Sequence, residues 1–352
     1  MTAVEFDAFK YYPSLRSRMW EMKGYEYLDE DDKARLVPMV SIASHHRIKD
    51  VQGVASKIGD YLQDRPFIID LEQSNVYGCN DFKELVDPSN GFESWRKFLK
   101  QQTNIIPTAL LAADASVRDV VQQVLRLEIE HEQVVVRSRA PSSDLTRLQA
   151  ILSAVDDVDN LMIVLDFGYV RSRATALAVE AANVINALRE TDPIARVMVI
   201  GSSYPKSAAA YDDAGAAIPI QERALHAALG GDEVAIYGDY ASIHPEPMEP
   251  MMTRFVPRID FPTPDAWIFR RVRGDQGGYQ KCAQLITELT DWQPDLVGKV
   301  WGATKIRSAA DGDLTSMGTP APWIAARVNM HLWQQIHYRD ASEFDYLLDD
   351  LI

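Results

Sequence analysis

Short runs of β-branched and apolar residues alternate with longer helical segments through the first two thirds of this chain. Each run ends in a polar or charged residue, and successive runs begin about 25 to 40 residues apart. The runs span residues 10–16, 36–42, 66–72, 105–111, 133–139, 161–167, 196–202 and 233–239. Because strand and helix alternate, the pattern predicts an α/β fold with a parallel sheet, and eight strands are enough to close a (β/α)8 TIM-like barrel.

Helical periodicity is clearest in three of the intervening segments. Apolar residues return every three or four positions over residues 116–130, 143–155 and 173–190. Ser116 and Asp119 approximate a capping box at the first segment. At the second, the polar cluster of Ser142, Ser143 and Asp144 predicts side-chain capping of the helix start; these residues follow Pro141.

The alternation stops after residue 240. Prolines and methionines crowd residues 241–267, and the flanking sequence predicts a hairpin with arms RFVPRIDF and AWIFRRV. Helices are expected over 274–289 and 322–339, and the amphipathic end EFDYLLDDLI is expected to pack on the body or on a partner. We therefore expect a barrel domain over 1–240 and an extension over 241–352 packed on it. In an alternative count, WIFRRV forms the eighth strand and KYYPSLR lies outside the barrel.

Charge and cysteine content exclude several classes of protein. The 352 residues carry 36 Lys and Arg against 51 Asp and Glu, a formal charge of −15 that disfavours broad attachment to nucleic acid or anionic membranes. No stretch approaches the ~20 apolar residues of a spanning helix. The two cysteines, Cys79 and Cys282, lie far apart without nearby metal-ligand partners, so neither a disulfide framework nor a zinc site is predicted. A cytoplasmic location is expected.

Polar residues at the strand ends mark the expected functional site. In a parallel barrel the carboxyl ends of all strands meet at one mouth, where catalytic residues gather. The candidate catalytic residues are Asp70, Asp166 and Asp239, and the candidate ligand-binding residues there are Arg16, Glu72, Arg137 and Tyr240. Arginine presents a planar set of donors that matches phosphate or carboxylate oxygens. The competing interpretation is that Arg137 pairs with Asp166 only to satisfy buried charge.

A second candidate for phosphate binding lies in the extension. Arg270 and Arg271 precede Gly274, Gly277 and Gly278, so positive charge stands beside free backbone N–H groups and a helix start. The competing interpretation is a β-arm with exposed arginines followed by an ordinary glycine turn. The loop matches neither nucleotide-binding glycine motif, and no metal-ligand set or cofactor can be identified from the sequence.

Several motifs together resemble the bacterial and phage beta protein family. These are the opening YYPSLRSRMWEMKGYEYL, the runs LVPMVSI and FIIDLE, the LDFG strand, and a closing pattern of Trp323, Asn329 and His331. The family's Gly-Glu pair is interrupted here, because Tyr25 separates Gly24 from Glu26. The resemblance implies a barrel-like architecture and an occurrence in phages and defence-associated loci.

Two functions are compatible with these features. The first is binding of a phosphorylated or nucleotide-like ligand at the barrel mouth; if the protein is an enzyme, the residue types favour a hydrolase in which Asp or Glu acts with Arg. The second is a non-catalytic interaction module of a phage–host conflict system. In that case the acidic surface and the tryptophans of the last quarter bind a partner protein or imitate nucleic acid; these are Trp292, Trp301, Trp323 and Trp333. A protein partner or a homo-oligomer is expected.

Overall fold

Eight parallel strands form a closed barrel in the computed structural model of the chain, which describes residues 4–44, 47–74, 76–207, 215–247 and 256–338. Their order around the barrel follows the chain. The barrel strands are β1 (Tyr12–Arg16), β2 (Met39–Ile42), β3 (Phe67–Leu71), β4 (Ile105–Ala109), β5 (Val134–Ser138), β6 (Leu161–Tyr169), β7 (Arg196–Ser202) and β9 (Ile236–Asp239). All eight expected runs therefore contribute a strand, and the (β/α)8 prediction is confirmed.

The first and last barrel strands pair with each other and close the sheet. Tyr12 aligns with Gly238 and Pro13 with Asp239, in parallel. The alternative count is wrong, because KYYPSLR lies in the barrel wall while WIFRRV belongs to a separate antiparallel sheet. Gly238 is required at this junction, since a Cβ there would lie 2.7 Å from the Tyr12 carbonyl oxygen and 2.6 Å from Ile200.

Helices follow most barrel strands and cover the outside of the sheet. Those from the barrel part of the chain are α1 (Met19–Glu26), α2 (Glu30–Lys33), α3 (Val51–Leu62), α4 (Phe82–Leu85), α5 (Ser89–Leu99), α6 (Val117–His131), α7 (Pro141–Leu152), α8 (Ala174–Thr191) and α9 (Glu222–Leu229). Three more follow the last strands: α10 (Gly278–Thr287), α11 (Trp301–Ala310) and α12 (Pro320–Ile336).

Local sequence signals account for the start of α6 but not of α7. The Ser116 side chain accepts a bond from the Asp119 N–H and the Asp119 carboxylate accepts one from the Ser116 N–H, so the predicted capping box is confirmed. At α7 the predicted side-chain cap is wrong. Pro141 opens that helix with Ala140 as its N-cap, and Asp144 instead accepts a bond from the Ser138 hydroxyl at 2.6 Å.

Side chains alternate between the two faces of each barrel strand. The inward residues pack into a separate apolar cluster inside the barrel, which includes Met39, Ile68, Ile106, Val135, Met162, Val164, Met198 and Ile200. The N-terminal segment closes the lower end, where the Val4 N–H and carbonyl both bond the Gln133 side chain and Phe6 joins the inner cluster. The opposite end, at the strands' carboxyl termini, is lined by polar side chains.

A three-stranded antiparallel sheet lies beside the barrel. It consists of β10 (Arg258–Pro262), β11 (Ala266–Arg271) and β8 (Gly215–Pro219), in the order β10–β11–β8. The predicted hairpin is confirmed as β10 and β11, whereas β8 was not predicted. One side of the sheet packs with α10, α11 and α12 through Ile259, Phe261 and Ile268, so the sheet and the last three helices share an apolar core.

Two parts of the sequence discussed above lie outside the described residues. They are the amphipathic end EFDYLLDDLI and residues 248–255 of the Pro- and Met-rich segment, including the start of the first hairpin arm. Across the described ranges, no helix is both long enough and apolar enough to cross a membrane.

Candidate ligand-binding site

Arg137 is the centre of a buried polar cluster inside the barrel mouth. It extends from the end of β5 and its side chain is 2% exposed. Nη1 lies 2.8 Å from Asp70 Oδ2 on β3, and Nη2 lies 2.8 Å from Asp166 Oδ2 on β6. Nη2 also donates to the Tyr240 hydroxyl at 2.9 Å, and that hydroxyl donates to Asp166 Oδ2 at 2.7 Å. The structure thus brings together four of the predicted site residues.

Charge within this cluster is nearly balanced. Burial alone would raise the pKa of Asp70, but Arg139 and Arg137 outweigh it and hold that pKa below its usual value. Nη2 of Arg139, whose side chain is 31% exposed, lies 2.8 Å from Asp70 Oδ2. Burial acts to lower the pKa of Arg137, yet Tyr240, Asp166 and Asp70 raise it well above its usual value. The expected pairing of Arg137 with Asp166 is present, and Asp70 is a weak base in this setting.

A second ion pair stands beside the first, at the end of β1. Arg16 Nε donates to Glu72 Oε2 at 2.8 Å, and its two terminal nitrogens donate to the carbonyl oxygens of His244 and Pro245. The Arg16 N–H donates to Glu21 Oε2 at 2.9 Å. Arg16 and Glu72 therefore lie at the mouth as predicted, with every nitrogen of the Arg16 guanidinium bonded to an acceptor.

Room for a ligand lies next to these clusters and not within them. The space between Arg137, Arg139, Tyr240 and Glu72 amounts to about 30 Å³, enough for a water molecule. The adjoining cavity measures about 410 Å³, within the range of small-molecule sites. It is lined by Arg16, Arg18, Met19, Trp20, Glu21, Tyr77, Tyr204, Pro205, Ile243, His244, Glu246, Ile324 and Arg327. These residues come from the end of β1, from α1 and α12, and from the loops after β1, β3, β7 and β9.

The cavity combines guanidinium groups with aromatic rings. The Arg18 guanidinium lies 4.5 Å from the centre of the Tyr77 ring, and Nη1 of Arg18 donates to the Ser44 carbonyl oxygen at 3.1 Å. The Arg327 guanidinium lies 4.2 Å from the centre of the Tyr204 ring on the α12 side. A planar ligand that carries an anionic group suits both kinds of wall.

Glu21 is a site residue that the sequence reasoning missed. It lies in the first turn of α1, is 8% exposed and lines both spaces at the mouth. Burial raises its pKa, although Arg16 and Arg18 act to lower it. An acidic residue in the first turn after a strand is ordinarily explained by the helix dipole, so nothing in the local sequence distinguished it. Glu26, which the family motif drew attention to, is exposed.

Asp239 does not face the mouth with Asp70 and Asp166, contrary to expectation. Its carboxylate accepts bonds from the hydroxyls of Tyr11 and Tyr237 at 2.7 and 2.9 Å, and Nε2 of His331 lies 2.8 Å from Oδ2. Neighbouring residues of a strand point to opposite faces, so Tyr240 faces inward and Asp239 faces the helices. Asp239 therefore joins the barrel wall to α12.

Arg270 and Arg271 are also separate from the mouth. Both are half-buried residues of β11, and Arg270 Nη1 donates to the Phe269 carbonyl oxygen at 3.0 Å. Neither lines the two spaces described above. They lie on a β-arm as in the competing interpretation, but half-buried instead of exposed, and α10 begins after a glycine turn at Gly277.

The tryptophans of the last quarter belong to the core of the extension. Trp292 and Trp323 are 9% and 4% exposed, while Trp301 and Trp333 pack against the same apolar cluster. Within the described parts of the chain no group of three His, Cys, Asp or Glu is arranged to hold a metal ion. The mouth thus offers charge and aromatic surface for a ligand.

Comparison with known proteins agrees with the sequence motifs. The family model described as Beta protein matches residues 11–337. Protein beta of Enterobacteria phage P4 is 34% identical to the chain over 356 residues, which cover 99% of each protein. The match includes the strands that form the barrel, the loops of the mouth and the helix that carries Arg327. The chain therefore belongs to the Beta protein family.

Proposed function

We propose that the protein binds a small phosphorylated or nucleotide-like ligand in the 410 Å³ cavity at the barrel mouth. The observation that carries the proposal is the lining of that cavity. Guanidinium groups of Arg18 and Arg327 lie against the rings of Tyr77 and Tyr204 in its lining, and such surfaces suit phosphate oxygens and a planar base. The mouth of a barrel is also where this fold places ligands.

Calorimetric titration with the four ribonucleoside 5′-monophosphates tests the proposal. We expect saturable binding to the unaltered protein. Arg18→Ala should weaken binding about tenfold, the typical effect of losing a charged hydrogen bond. Arg126→Ala is the matched control, because Arg126 is exposed on α6 and does not line the cavity. Absence of binding at millimolar concentrations of all four would refute the proposal.

Hydrolysis of the bound ligand is a second step that we assign to Glu21. Asp70 and Asp166 are paired with arginines, whereas Glu21 is a buried carboxyl with a raised pKa at the cavity wall. In this reaction Glu21 accepts a proton from water, the water oxygen bonds to phosphorus and the ester P–O bond breaks. The proton then passes from Glu21 to the leaving alkoxide oxygen, so that phosphate and an alcohol are released. Arg18 stabilises the charge that develops on the phosphoryl oxygens.

Glu21→Gln separates binding from hydrolysis. We expect the variant to retain nucleotide binding and to release phosphate at least about a hundredfold more slowly, as general-base removal commonly does. Glu26→Gln is the matched control, because Glu26 is exposed on the same helix. If the unaltered protein binds nucleotides without releasing phosphate, the hydrolytic step is refuted and the binding proposal stands.

A non-catalytic interaction module in phage–host conflict is the second candidate function. The observation in its favour is that two of the expected catalytic carboxylates, Asp70 and Asp166, are neutralised by Arg137 and Arg139 together. A plaque assay on bacteria that express the protein distinguishes the two functions. If Glu21→Gln and Arg18→Ala both keep full protection, the module is favoured; loss of protection favours the cavity.

A further inference from the structure

A second buried charge cluster borders the ligand cavity on the side of the extension. Asp260 on β10 pairs with Arg258, whose Nε lies 2.8 Å from Oδ1, and with Arg327 on α12, whose Nη1 lies 2.5 Å from Oδ2. The Tyr204 hydroxyl donates to Asp260 Oδ2 at 2.7 Å and accepts from Arg327 Nη1 at 2.6 Å. The cluster connects α12 and the second sheet with the loop after β7.

This cluster has an excess of positive charge. Two guanidinium groups face one carboxylate, and Tyr204 is neutral because burial, with Asp260 adding to it, raises its pKa to about 12 against the pull of the arginines. The net charge of the cluster is therefore +1, with Arg327 buried and the Arg258 side chain 31% exposed. At the end of β1 and the start of α1, Arg16 and Arg18 stand beside Glu21 and Glu72, so positive and negative groups are equal in number there.

Arg327 retains unused donor capacity at the cavity wall. It is 5% exposed, and its Nη1 makes the bonds to Tyr204 and Asp260. Its Nε is buried and has no hydrogen-bond partner among the described residues. Arg16 differs, because its Nε and both terminal nitrogens are bonded to acceptors. Because Nε is shielded from the cavity, the donor within reach of a ligand oxygen is Nη2, which also donates to no described residue. A ligand oxygen that accepts from Nη2 would bind favourably.

We propose that Arg327 is the anion subsite of the cavity and receives the phosphate group of the ligand, with Arg258 supplying the excess charge behind it. The inference rests on the proposed function and adds an orientation to it. The phosphate lies between Arg327 on α12 and the Arg18 and Glu21 side chains of the same cavity, and the planar part of the ligand lies towards Tyr77. The C-terminal extension then contributes directly to recognition, since Arg327 belongs to it.

Paired titrations with adenosine 5′-monophosphate and adenosine test this orientation. We expect the unaltered protein to prefer the monophosphate, and Arg327→Gln to weaken monophosphate binding about tenfold while adenosine binding changes less than about threefold. Arg258→Gln is the matched control, because it removes the same charge from Asp260 without lining the cavity. It should weaken monophosphate binding less than Arg327→Gln does.

The outcomes separate the inference from the proposed function. If the unaltered protein prefers the monophosphate and Arg327→Gln keeps that preference, the subsite is refuted while cavity binding stands. If neither probe nor any other ribonucleoside monophosphate binds, both are refuted. Arg327→Lys keeps the charge without the guanidinium and serves if the glutamine variant does not fold, as judged by circular dichroism. In this variant the ratio of monophosphate affinity to adenosine affinity should fall at least about threefold, and an unchanged ratio refutes the subsite.

Discussion

Nε2 of His331 lies 2.8 Å from Oδ2 of Asp239, and both side chains are fully buried. Asp239 ends the last barrel strand and His331 belongs to α12, so this contact joins the barrel to the C-terminal extension. The sequence had marked Asp239 as a catalytic candidate and His331 as part of a family motif. The two residues instead contact each other outside the mouth.

Replacement of His331 by Leu is expected to destabilise the protein by about 3 to 5 kcal/mol, because it leaves a buried carboxylate without one of its partners. Chemical denaturation measures the loss. His337→Leu is the comparison, since His337 pairs with Asp32 at 2.8 Å with a 36% exposed side chain, and its loss should cost less than about 1 kcal/mol. Equal effects of the two substitutions would contradict the buried-pair interpretation.

Arg137→Met should cost about 3 to 5 kcal/mol, because Asp70 and Asp166 both lose their buried guanidinium partner and only the partly exposed Arg139 remains beside them. Adding Asp70→Asn and Asp166→Asn removes the uncompensated charges and should restore part of the loss. Urea unfolding of the single and triple variants measures both effects. The control is Arg65→Met, which removes a partly exposed pair with Glu30 and should change stability by less than about 1 kcal/mol. If Arg137→Met alone were as stable as Arg65→Met, the result would contradict a structural role of the cluster.

Glu222 should make the protein less stable as pH rises from about 5 to 8. Burial raises the pKa of this carboxyl to about 7, with Asp239 adding to it, although bonds from Ser203 act to lower it. The folded state then holds a proton that the unfolded state has already lost, so unfolding becomes easier as pH increases, by on the order of 3 kcal/mol. Glu222→Gln has no such proton to lose.

The measurement is the free energy of unfolding of the original protein and of Glu222→Gln between pH 5 and 9. The difference between them should shift in favour of the variant as pH increases. A constant difference over this range would show that Glu222 titrates as an ordinary carboxyl. Glu233→Gln, at an exposed position in the loop before β9, provides the control for the change of side chain.

Gly24→Ala should destabilise the protein by about 1 to 3 kcal/mol through overpacking. A Cβ at Gly24 on α1 would lie 2.5 and 2.6 Å from side-chain carbons of Val328 on α12, closer than carbon atoms can approach. Gly59→Ala on α3 is the matched control, because nothing lies within 4 Å of its Cβ position. In Gly59→Ala the higher helix propensity of alanine should stabilise the protein by up to about 1 kcal/mol. Thermal denaturation distinguishes the two, and stabilisation by both would contradict the close packing of α1 on α12.

Sequence periodicity was sufficient to predict the barrel. Runs such as LMIVLDF combine β-branched residues with a length that suits a buried parallel strand, and the intervening helices carry their own periodicity. The same reasoning missed β8 over 215–219, because GAAIP has little strand character and is extended only through pairing with β11. Secondary structure that depends on a distant partner leaves a weak local signal.

The candidate site was predicted only in part, because the sequence shows where strands end but not which face of a strand points inward. Strand ends placed Asp70, Arg137, Asp166 and Tyr240 at the mouth, where the structure brings them together. Asp239 was misplaced because the sequence does not show which face of the last strand is turned inward, and that choice is made by its register against β1.

The sequence by itself determined the number of barrel strands and the family to which the chain belongs. These follow from local hydrophobic patterns and from motifs that can be read along the chain. Only the tertiary structure decided that the ligand cavity lies beside the Arg137 cluster, between Glu21 on α1 and Arg327 on α12. Those two residues lie near opposite ends of the chain, and they share a wall because barrel closure and the packing of α12 on α1 bring distant segments together, which no local pattern encodes.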